Sequence, residues 1–333
     1  MTQPKVSIII TNYNGQTLLQ KCLESLSKVE YDNFEIILVD NNSTDGTIEF
    51  VTKNYPSITI IKLESNKGFA EPNNIGAKIA KGKYLLFLNN DTIVTPNFIS
   101  ELVSVIENNK KIAICQSLLL QSDGKIDSSG DFIDNLGVVY SSKESPKNLK
   151  QISSAKGASL LIQNEIFFDL GGFDNRFFAT FEDVDLSWRS WIFGYNVVIA
   201  PKSVVYHLGG QTIKKIKSEI AFHGFKNQIS MKITNFETSL VFKKLLIFFF
   251  KYGFRELKIW LDYSFTGHTK ITPTQYEKKI AAKPSLKIIL KSIFWVLSNS
   301  RYLIKKHNQI NSRRVFNTKK LEELGVISSP IND

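Results

Sequence analysis

The sequence predicts an α/β fold that begins as a doubly wound sheet and ends in a basic helical region. Two observations predict the sheet: short β-branched runs alternate with helical patterns over the first 90 residues, and a polar loop follows each run. The third observation is the charge distribution. Residues 241–333 carry 18 Lys and Arg against 6 Asp and Glu, whereas the rest of the chain carries 24 against 25.

The composition is typical of a globular protein. The chain has 333 residues, of which 43% are hydrophobic, and this is enough for a large core. Cys22 and Cys115 fit no paired metal spacing, and two cysteines in a chain of this length favour a reducing compartment over a disulfide framework. The first apolar run has no basic segment before it and no cleavage site after it, so we expect no signal peptide.

Strands and helices alternate in the first 90 residues. Strand patterns cover residues 5–11, 34–40, 58–63 and 83–89, and helical patterns cover residues 15–28, 44–55 and 71–81. The order strand, helix, strand implies parallel pairing through right-handed crossovers. Because ligands bind beyond the carboxyl ends of such strands, the polar loops that follow them are the candidate site.

The pattern becomes mixed from residue 96 onward. It predicts a helix at 96–109, a strand at 112–120, a loop region rich in Ser, Asp and Gly at 121–154, and a helix at 163–171. The predicted organisation has three parts: residues 1–95 and 96–215 as two halves of one α/β domain, and residues 216–333 as a basic amphipathic helical region.

The basic C-terminal region predicts a surface helix. In residues 239–261, Lys244, Lys251, Arg255 and Lys258 form one helical stripe among Phe and Leu. The longest uncharged apolar run, Leu245–Phe250, is far shorter than the roughly 20 residues that cross a bilayer. Residues 284–306 repeat this pattern. Two interpretations stay open: the helices pack on the α/β domain, or they attach the protein to an anionic membrane surface.

Two carboxylates follow strands at the expected binding edge. Asp40 has the position of the ribose-binding acid of a dinucleotide fold, but the first strand–helix junction carries a single Gly15, which argues against a hydride-transfer enzyme. Asp91, in "FLNNDTIV", is able to bind a divalent cation on a diphosphate. Taken alone, each residue is more often a turn or cap residue than a ligand-binding one.

An acidic and aromatic segment, "FEDVDLSWR", is the candidate for acid–base chemistry. Glu182, Asp183 and Asp185 lie within four positions, and neighbouring carboxylates among aromatic residues raise one another's pKa. The alternative is that they are first-turn residues favoured by the helix dipole. His207 ends another apolar run in "VVYHLGG", and on its own a histidine at this position is more often structural.

Five ordered motifs together resemble the family 2 glycosyltransferases of the GT-A fold. They are "VSIIITNYNG", "IILVDNNSTDGT", "NKGFAEPNNIGAKIAKGKYLLFLNNDT", "GGFDNRFFATFEDVDLSWR" and "YHLGG", and they span about residues 5–230. The "LSWR" segment is similar to transferases that build surface polysaccharides, including rhamnosyl transferases. The QxxRW motif and multiple membrane spans of processive synthases are missing from the sequence.

The resemblance implies an inverting transfer of a sugar from a UDP- or dTDP-sugar to an acceptor hydroxyl, assisted by Mg²⁺ or Mn²⁺. It implies that residues 1–95 bind the donor, that residues 96–215 bind the acceptor, and that Asp183 is the general base. Glu182, Asp185 and Trp188 would support the acceptor site, and Asp91 and His207 would bind the metal. The implied nucleotide-sugar contacts are Thr11, Tyr13, Asp40, Asn66, Lys67, Gly68, Asn74 and Asn90.

The sequence departs from the family pattern in the metal motif. Asn89 stands where many members have an aspartate, so we expect metal and nucleotide sugar to bind together rather than the metal alone. Glu71 and Pro72 replace small residues and bear on sugar selection. The expected acceptor is a glycan or polyprenyl-linked glycan, and the expected location is cytoplasmic, peripheral on the inner face of the cell membrane. The alternatives are a nucleotide-sugar binder without turnover and a nucleic-acid binder, the latter disfavoured by the arrangement of aromatic residues.

Overall fold

The computed structural model describes residues 3–209, 217–250 and 286–328. The chain divides into two compact units. The first unit comprises residues 1–132 and 141–214, and the second comprises residues 133–140 and 215–333. The division of the first unit into a donor half and an acceptor half stays a prediction.

The first unit is built on one large mixed sheet. Its central strand order is β10-β12-β6-β11-β4-β1-β2-β3, with β5 paired to β12 and β7 paired to β6. Three further strands, β8, β9 and β13, form a second, smaller sheet. The strands of both sheets are β1 Val6–Asn12, β2 Phe34–Asp40, β3 Thr59–Lys62, β4 Tyr84–Asn89, β5 Thr92–Val94, β6 Ile112–Leu120, β7 Ile126–Ser128, β8 Asp131–Asp134, β9 Val139–Ser141, β10 Lys150–Gln151, β11 Ser159–Gln163, β12 Asn196–His207 and β13 Ile327–Ser328.

Six helices of the described chain, α1 to α6, belong to the first unit, and the later ones belong to the second unit. In the first unit, α1 buries Leu19, Cys22, Leu23 and Leu26, the helical spacing that predicted it. The helices are α1 Gln16–Leu26, α2 Thr47–Asn54, α3 Ala70–Ile79, α4 Phe98–Asn108, α5 Asn164–Asp169, α6 Glu182–Ile192, α7 Lys217–Asn235, α8 Thr238–Phe248, α9 Leu286–Ser298, α10 Ser300–Ser312 and α11 Thr318–Glu323.

The register of the parallel strands brings their carboxyl ends to one edge. β1 lies between β2 and β4 and pairs in parallel with both, as the strand–helix–strand order predicts. Asn12 is opposite Asp40, and Thr11 is opposite Asn89. β1 and β4 are almost wholly buried because helices cover both faces, which explains their continuous apolar sequence. The polar loops after these three strands therefore share one edge.

The prediction of a loop at residues 121–154 is wrong in part. This segment forms four short strands, β7 to β10, of two to four residues each. Strands this short contain too few alternating positions to produce a period-2 pattern, and long-range pairing rather than local sequence stabilises them. β7, for example, pairs antiparallel with the end of β6.

The second unit is helical and includes a small three-stranded sheet, β13-β8-β9. α7 packs against α8, α9 and α10. One apolar core cluster of this unit is formed by Leu136, Val138, Ile229 and Phe248. α7 lies within the predicted helical region 216–333, but no separate helix was predicted there, because its mixed composition gives a weak helical pattern.

The two predicted tail helices differ from the observed ones. α8 ends at Phe248, and Lys251, Arg255 and Lys258 of the predicted stripe lie outside the described residues. The single helix predicted at 284–306 is wrong, because it is broken at Asn299 into α9 and α10. Ser298, Asn299 and Ser300 favour caps over helix interiors, which explains the break. None of the helices in the described ranges combines the length and hydropathy that a membrane span needs.

Candidate active site

Asp40 ends β2 with its side chain fully buried at the shared edge. Its Oδ1 accepts a hydrogen bond from the backbone N–H of Ser43 at 2.8 Å. Its Oδ2 is buried and has no hydrogen-bond partner among the residues that the structure describes. A buried acceptor of this kind is costly unless a bound group donates to it. Asp40 is therefore suited to accept a hydrogen bond from a ligand.

The loop at residues 66–68 is tied to β2 by Asn41, a residue that the sequence analysis missed. The Asn41 side chain donates to the Gly68 carbonyl at 2.8 Å and accepts from the Lys67 N–H at 3.1 Å. Asn66 accepts a bond from the Gly68 N–H at 2.9 Å. Gly68 has a φ of +80°, and a Cβ there would lie 1.9 Å from the Phe178 carbonyl oxygen. Only glycine fits, and the loop has a fixed position beside Asp40.

Asn90 and Thr11 also lie at this edge. Asn90 donates to the Asn12 side chain at 2.5 Å, which links the loop after β4 to the end of β1. The Thr11 hydroxyl is buried, with no hydrogen-bond partner in the described part of the chain. Tyr13 follows β1 and is half-buried. The edge thus gathers Thr11, Tyr13, Asp40 and Asn90 from loops far apart in sequence.

The Asn74 side chain forms hydrogen bonds with a segment about 100 residues later in the chain. Its side chain donates to the Phe173 carbonyl at 2.8 Å and accepts from the Phe173 N–H at 3.0 Å. It also donates to the Asn175 side chain at 2.6 Å. These bonds connect α3 to the turn before α6. The predicted contact of Asn74 with the donor stays a prediction.

His207 joins Asp91 to a third residue, Asp127. β5 pairs antiparallel with the end of β12, and this brings His207 opposite Thr92. The His207 Nε2 is 3.4 Å from Asp91 Oδ1, and its Nδ1 is 2.9 Å from Asp127 Oδ2. Burial lowers the pKa of His207, but the two carboxylates outweigh it and raise the pKa to about 9. Asp127 escaped the sequence analysis because it lies on the three-residue β7.

Asp91 and His207 offer an oxygen and a nitrogen of the kinds that divalent cations accept as ligands. Within the described ranges, no group of three or more His, Cys, Asp or Glu side chains could hold a metal ion. Asp91 Oδ1 and His207 Nε2 provide two ligand atoms that face each other. Cations on phosphate substrates commonly use one or two protein ligands, and phosphate and water oxygens complete the coordination. A carboxylate on the second nitrogen of a ligating histidine is a common arrangement.

The backbone before α6 is strained. Thr180 has a φ of +68° and Phe181 a φ of +69°, in the left-handed region that residues with a side chain seldom adopt. Each such residue costs about 1–3 kcal/mol, and strain of this kind is concentrated at functional sites. The two residues set where α6 begins, and Asp183 is the second residue of that helix.

Two backbone N–H groups hold the Asp183 carboxylate. Gly157 donates to its Oδ2 at 2.9 Å, and Val184 donates to its Oδ1 at 2.8 Å. Burial raises the pKa of Asp183, the Lys156 ammonium and the Gly157 N–H lower it, and the Asp131 charge raises it again. Asp183 is half-buried, so an incoming group can reach it.

Glu182 differs from Asp183 in its surroundings. It is 6% exposed, and its Oε2 has no hydrogen-bond partner within the described residues. Burial, followed by the negative charge of Asp183, raises the pKa of Glu182 well above its ordinary value. The pKa of Asp183 is also raised, but the Lys156 charge and two N–H donors oppose this increase. Asp183 is thus the carboxylate of the pair that backbone donors hold in place.

Asp185 and Trp188 lie in the interior. Asp185 is fully buried and pairs with Arg189, whose Nη2 is 2.8 Å from Asp185 Oδ2. Arg189 also donates to the Leu170 and Gly172 carbonyls, so it ties α6 to the turn before it. Trp188 is 1% exposed. Any support they give to an acceptor therefore acts through the position of α6.

Solved structures resemble this fold. Residues 1–349 of TarS from S. aureus, in complex with UDP-GlcNAc, match with a TM-score of 0.59 and 14% identity, covering 98% of this chain and 94% of that one. GalNAc-T7 with UDP, GalNAc and Mn²⁺ matches with a TM-score of 0.59 and 18% identity, covering 90% and 58%. At these identities the likeness shows the fold alone. It confirms the prediction of a GT-A fold.

Sequence comparison finds glycosyltransferase relatives. O-antigen biosynthesis protein RfbC of Myxococcus xanthus is 31% identical over 223 residues, which are 61% of this chain and 17% of that protein. The chain spans 17% to 51% of the length of RfbC and two further relatives that it matches. Residues 7–163 match the model of Glycosyl transferase family 2. Over this segment the chain resembles the family 2 glycosyltransferases.

Proposed function

We propose that this protein is an inverting glycosyltransferase that moves a sugar from a UDP- or dTDP-sugar to a hydroxyl of a surface glycan or lipid-linked glycan. The observation that carries the proposal is the Asp183 carboxylate, which two N–H groups orient at 2.9 and 2.8 Å beside a more basic Glu182. A general base needs a fixed position and a pKa above that of an ordinary carboxylate. Asp183 has both, after a strained turn that sets the start of α6.

The shared edge of β1, β2 and β4 supports the donor contacts. The unsatisfied Oδ2 of Asp40 is suited to an N–H of the base, and the loop held by Asn41 and Gly68 lies beside it. TarS and GalNAc-T7 have been solved with UDP-GlcNAc and with UDP and Mn²⁺. By analogy, Thr11, Tyr13 and Asp40 contact the nucleoside, and Asn66, Lys67, Gly68, Asn74 and Asn90 line the rest of the donor site.

Asp91 and His207 would hold a divalent cation, Mg²⁺ or Mn²⁺, together with the donor diphosphate. When bound, this cation offsets the charge of the departing diphosphate. Asp91 contributes a carboxylate oxygen and His207 its Nε2, which requires the imidazole to lose its proton to solvent. Asp127 keeps the ring orientation through Nδ1.

The chemical step follows from the position of Asp183. The acceptor hydroxyl gives its proton to the Asp183 carboxylate while its oxygen forms a bond to the anomeric carbon. The bond from that carbon to the diphosphate oxygen breaks on the opposite face, so the anomeric configuration inverts. Burial and the charge of Asp183 raise the pKa of the neighbouring Glu182, which favours its protonated form beside the base.

A donor screen tests the activity. Purified protein is incubated with UDP-, dTDP- and GDP-sugars, with Mg²⁺ or Mn²⁺ and with polyprenyl-phosphate-linked glycans, and the release of nucleoside diphosphate is measured. We expect release that depends on the metal and on the acceptor with a UDP- or dTDP-sugar. Donor binding without release for any pair would instead indicate a nucleotide-sugar binder.

The second unit supports attachment to the cytoplasmic face of an anionic membrane. On α9, Leu290, Phe294 and Leu297 are 58%, 71% and 67% exposed, at helical spacing beside the exposed Lys287 and Lys291. Exposed apolar side chains flanked by lysines are typical of helices that lie in a membrane interface. α8 presents Phe242, which is 77% exposed, beside Lys243. The proposed acceptor, a lipid-linked glycan, would be reached at this surface.

Liposome flotation tests the attachment. The full chain is expected to float with vesicles containing phosphatidylglycerol and to remain behind with phosphatidylcholine alone, since basic residues near an anionic surface contribute about 1 kcal/mol each. The double variant F294S/L297S is expected to lose most of this binding. V315S, which removes another exposed apolar side chain, is the matched control. Undiminished flotation of F294S/L297S would exclude α9 as the contact.

A further inference from the structure

Lys156 is a charged residue of the first unit that the proposed mechanism leaves without a role. Its Nζ is 2.7 Å from Oδ2 of Asp131, a carboxylate whose side chain is 1% exposed, while the Lys156 side chain is 32% exposed. A buried carboxylate paired with a partly exposed ammonium is an expensive arrangement for stability alone. We therefore expect the Asp131–Lys156 ion pair to have a role other than stabilising the fold.

The backbone around Lys156 is fixed on both sides. The Lys156 N–H donates to Gln116 Oε1 at 2.7 Å, and Gln116 is fully buried in β6. The next residue, Gly157, donates its N–H to Asp183 Oδ2. A Cβ on Gly157 would lie 3.7 Å from the Asp183 Cβ, so the 156–157 segment packs directly on the base.

Asp131 is fixed to the same segment. Its N–H donates to the Ser154 carbonyl at 2.9 Å, and the Ser154 N–H donates to its carbonyl at 3.1 Å. Asp131 is therefore anchored to Ser154, which is two residues before Lys156, and its carboxylate holds the Lys156 ammonium in place. Lys156 and Gly157 thus belong to one anchored segment. Its Gly157 N–H contacts the Asp183 carboxylate, and its charge is that of Lys156.

We propose that Lys156, held by Asp131, is a positioning residue that keeps the Asp183 carboxylate ionised and therefore ready to accept the proton of the acceptor. This inference rests on the proposed role of Asp183 as the base. It adds that the charge state of the base depends on a lysine 27 positions before it in the sequence.

The charges around Asp183 have opposing effects. Burial and the Asp131 charge raise its pKa, and the Lys156 ammonium is the largest influence that lowers it. Burial and then the charge of Asp183 raise the pKa of the neighbouring Glu182. Partial burial lowers the pKa of Lys156, but the charges of Asp131, Asp183 and Asp127 outweigh it and raise the pKa, so Lys156 stays protonated. A permanent positive charge thus acts on Asp183.

Carboxyl titration by NMR tests the proposal without any substrate. Protein labelled with ¹³C at the aspartate side-chain carboxyl is titrated, and the Asp183 signal is assigned by its absence in Asp183→Asn. In Lys156→Gln, which keeps a donor for Asp131 but removes the charge, we expect the titration midpoint of Asp183 to move up by about one pH unit. Lys156→Arg is expected to restore the wild-type midpoint.

The controls separate this role from a structural one. Lys125→Gln removes an exposed lysine of the same unit and is expected to leave the Asp183 midpoint unchanged. If Lys156→Gln fails to fold, Lys156→Met serves as the second neutral variant. An unchanged Asp183 midpoint in a folded neutral variant would overturn the proposal. Because the readout needs no turnover, a failed donor screen would count against the proposed function and not against this coupling.

Discussion

The imidazole of His207 lies between two carboxylates, with Nδ1 2.9 Å from Asp127 Oδ2 and Nε2 3.4 Å from Asp91 Oδ1. The three residues come from β12, from β7 and from the turn between β4 and β5. Because Asp127 occupies Nδ1, the ring can offer only Nε2 to a cation beside Asp91. The position of Asp127 thus decides which nitrogen of His207 is available.

Removing the Asp127 carboxylate is expected to weaken metal binding. A carboxylate that hydrogen-bonds the other ring nitrogen of a ligating histidine typically accounts for about 10–100-fold in metal affinity. We expect Asp127→Asn to lower the affinity for Mn²⁺ in the presence of UDP by a factor in this range, measured by the electron paramagnetic resonance signal of free Mn²⁺. Asp123→Asn, on the exposed turn nearby, is the control and should bind as the wild type does. Equal affinities for both variants would contradict a role of Asp127 at the metal.

Asp40 provides a test of the nucleotide site. Replacing it by asparagine removes the charge of the buried carboxylate, and hydrogen bonds to charged groups contribute about 1.5–3 kcal/mol. Asp40→Asn is therefore expected to weaken UDP binding by at least about tenfold in calorimetry. Asp32→Asn changes an exposed aspartate before β2 and should have no effect. UDP binding of wild-type strength by Asp40→Asn would remove Asp40 from the nucleoside site.

The proposed base and metal ligands of this site were named from the sequence, but the charged residues that contact or neighbour them were not. The roles predicted for Asp91, Asp183 and His207 come from the family resemblance, and these residues were named as candidates because each follows or begins an element with a strong pattern. Asp127 and Lys156 were not, because they lie in the segment around 121–156 where the strands are short and the pairing is long-range. No local pattern marks a residue whose partner is 80 positions away, as His207 is from Asp127.

The fold was likewise predicted where the local pattern is strong and not where long-range contacts decide. The parallel order of β1, β2 and β4 follows from alternating patterns and crossover handedness, and it was predicted correctly. α7 lies in the predicted helical region 216–333, but its bounds were not predicted, since its residues include Lys226, Asn227, Lys232 and Asn235, which are all buried despite their polarity. Tertiary contacts in the second unit, rather than an amphipathic pattern, account for that helix.

Lys232 gives a pH-dependent prediction for the second unit. It is fully buried, donates to the Gly137 carbonyl at 2.8 Å and lies 4.2 Å from the Phe248 ring centroid. Burial lowers its pKa to about 7, although Asp134 raises it in part. Between pH 7 and about 10.5 the unfolded chain binds this proton and the folded chain does not. The free energy of unfolding should therefore rise with pH over this range.

Urea denaturation at pH 7 and pH 9.5 measures this effect. We expect the wild type to gain stability between the two pH values relative to Lys232→Met, which has no proton to lose at this position. Lys243→Met, at an exposed lysine of α8, should keep the wild-type pH dependence. A pH dependence in Lys232→Met identical to that of the wild type would show that Lys232 does not titrate in this range.

The central claim is that Asp183 is the base of a sugar transfer, and the most direct measurement is the kcat of Asp183→Asn with the donor and acceptor that the screen identifies. Loss of a positioned general base costs about 10²–10⁴-fold. We predict a fall of this size in kcat with donor affinity within twofold of the wild type, since Asp183 is oriented by Gly157 and Val184 rather than by the donor edge. An Asp183→Asn enzyme that transfers sugar at the wild-type rate would contradict the account.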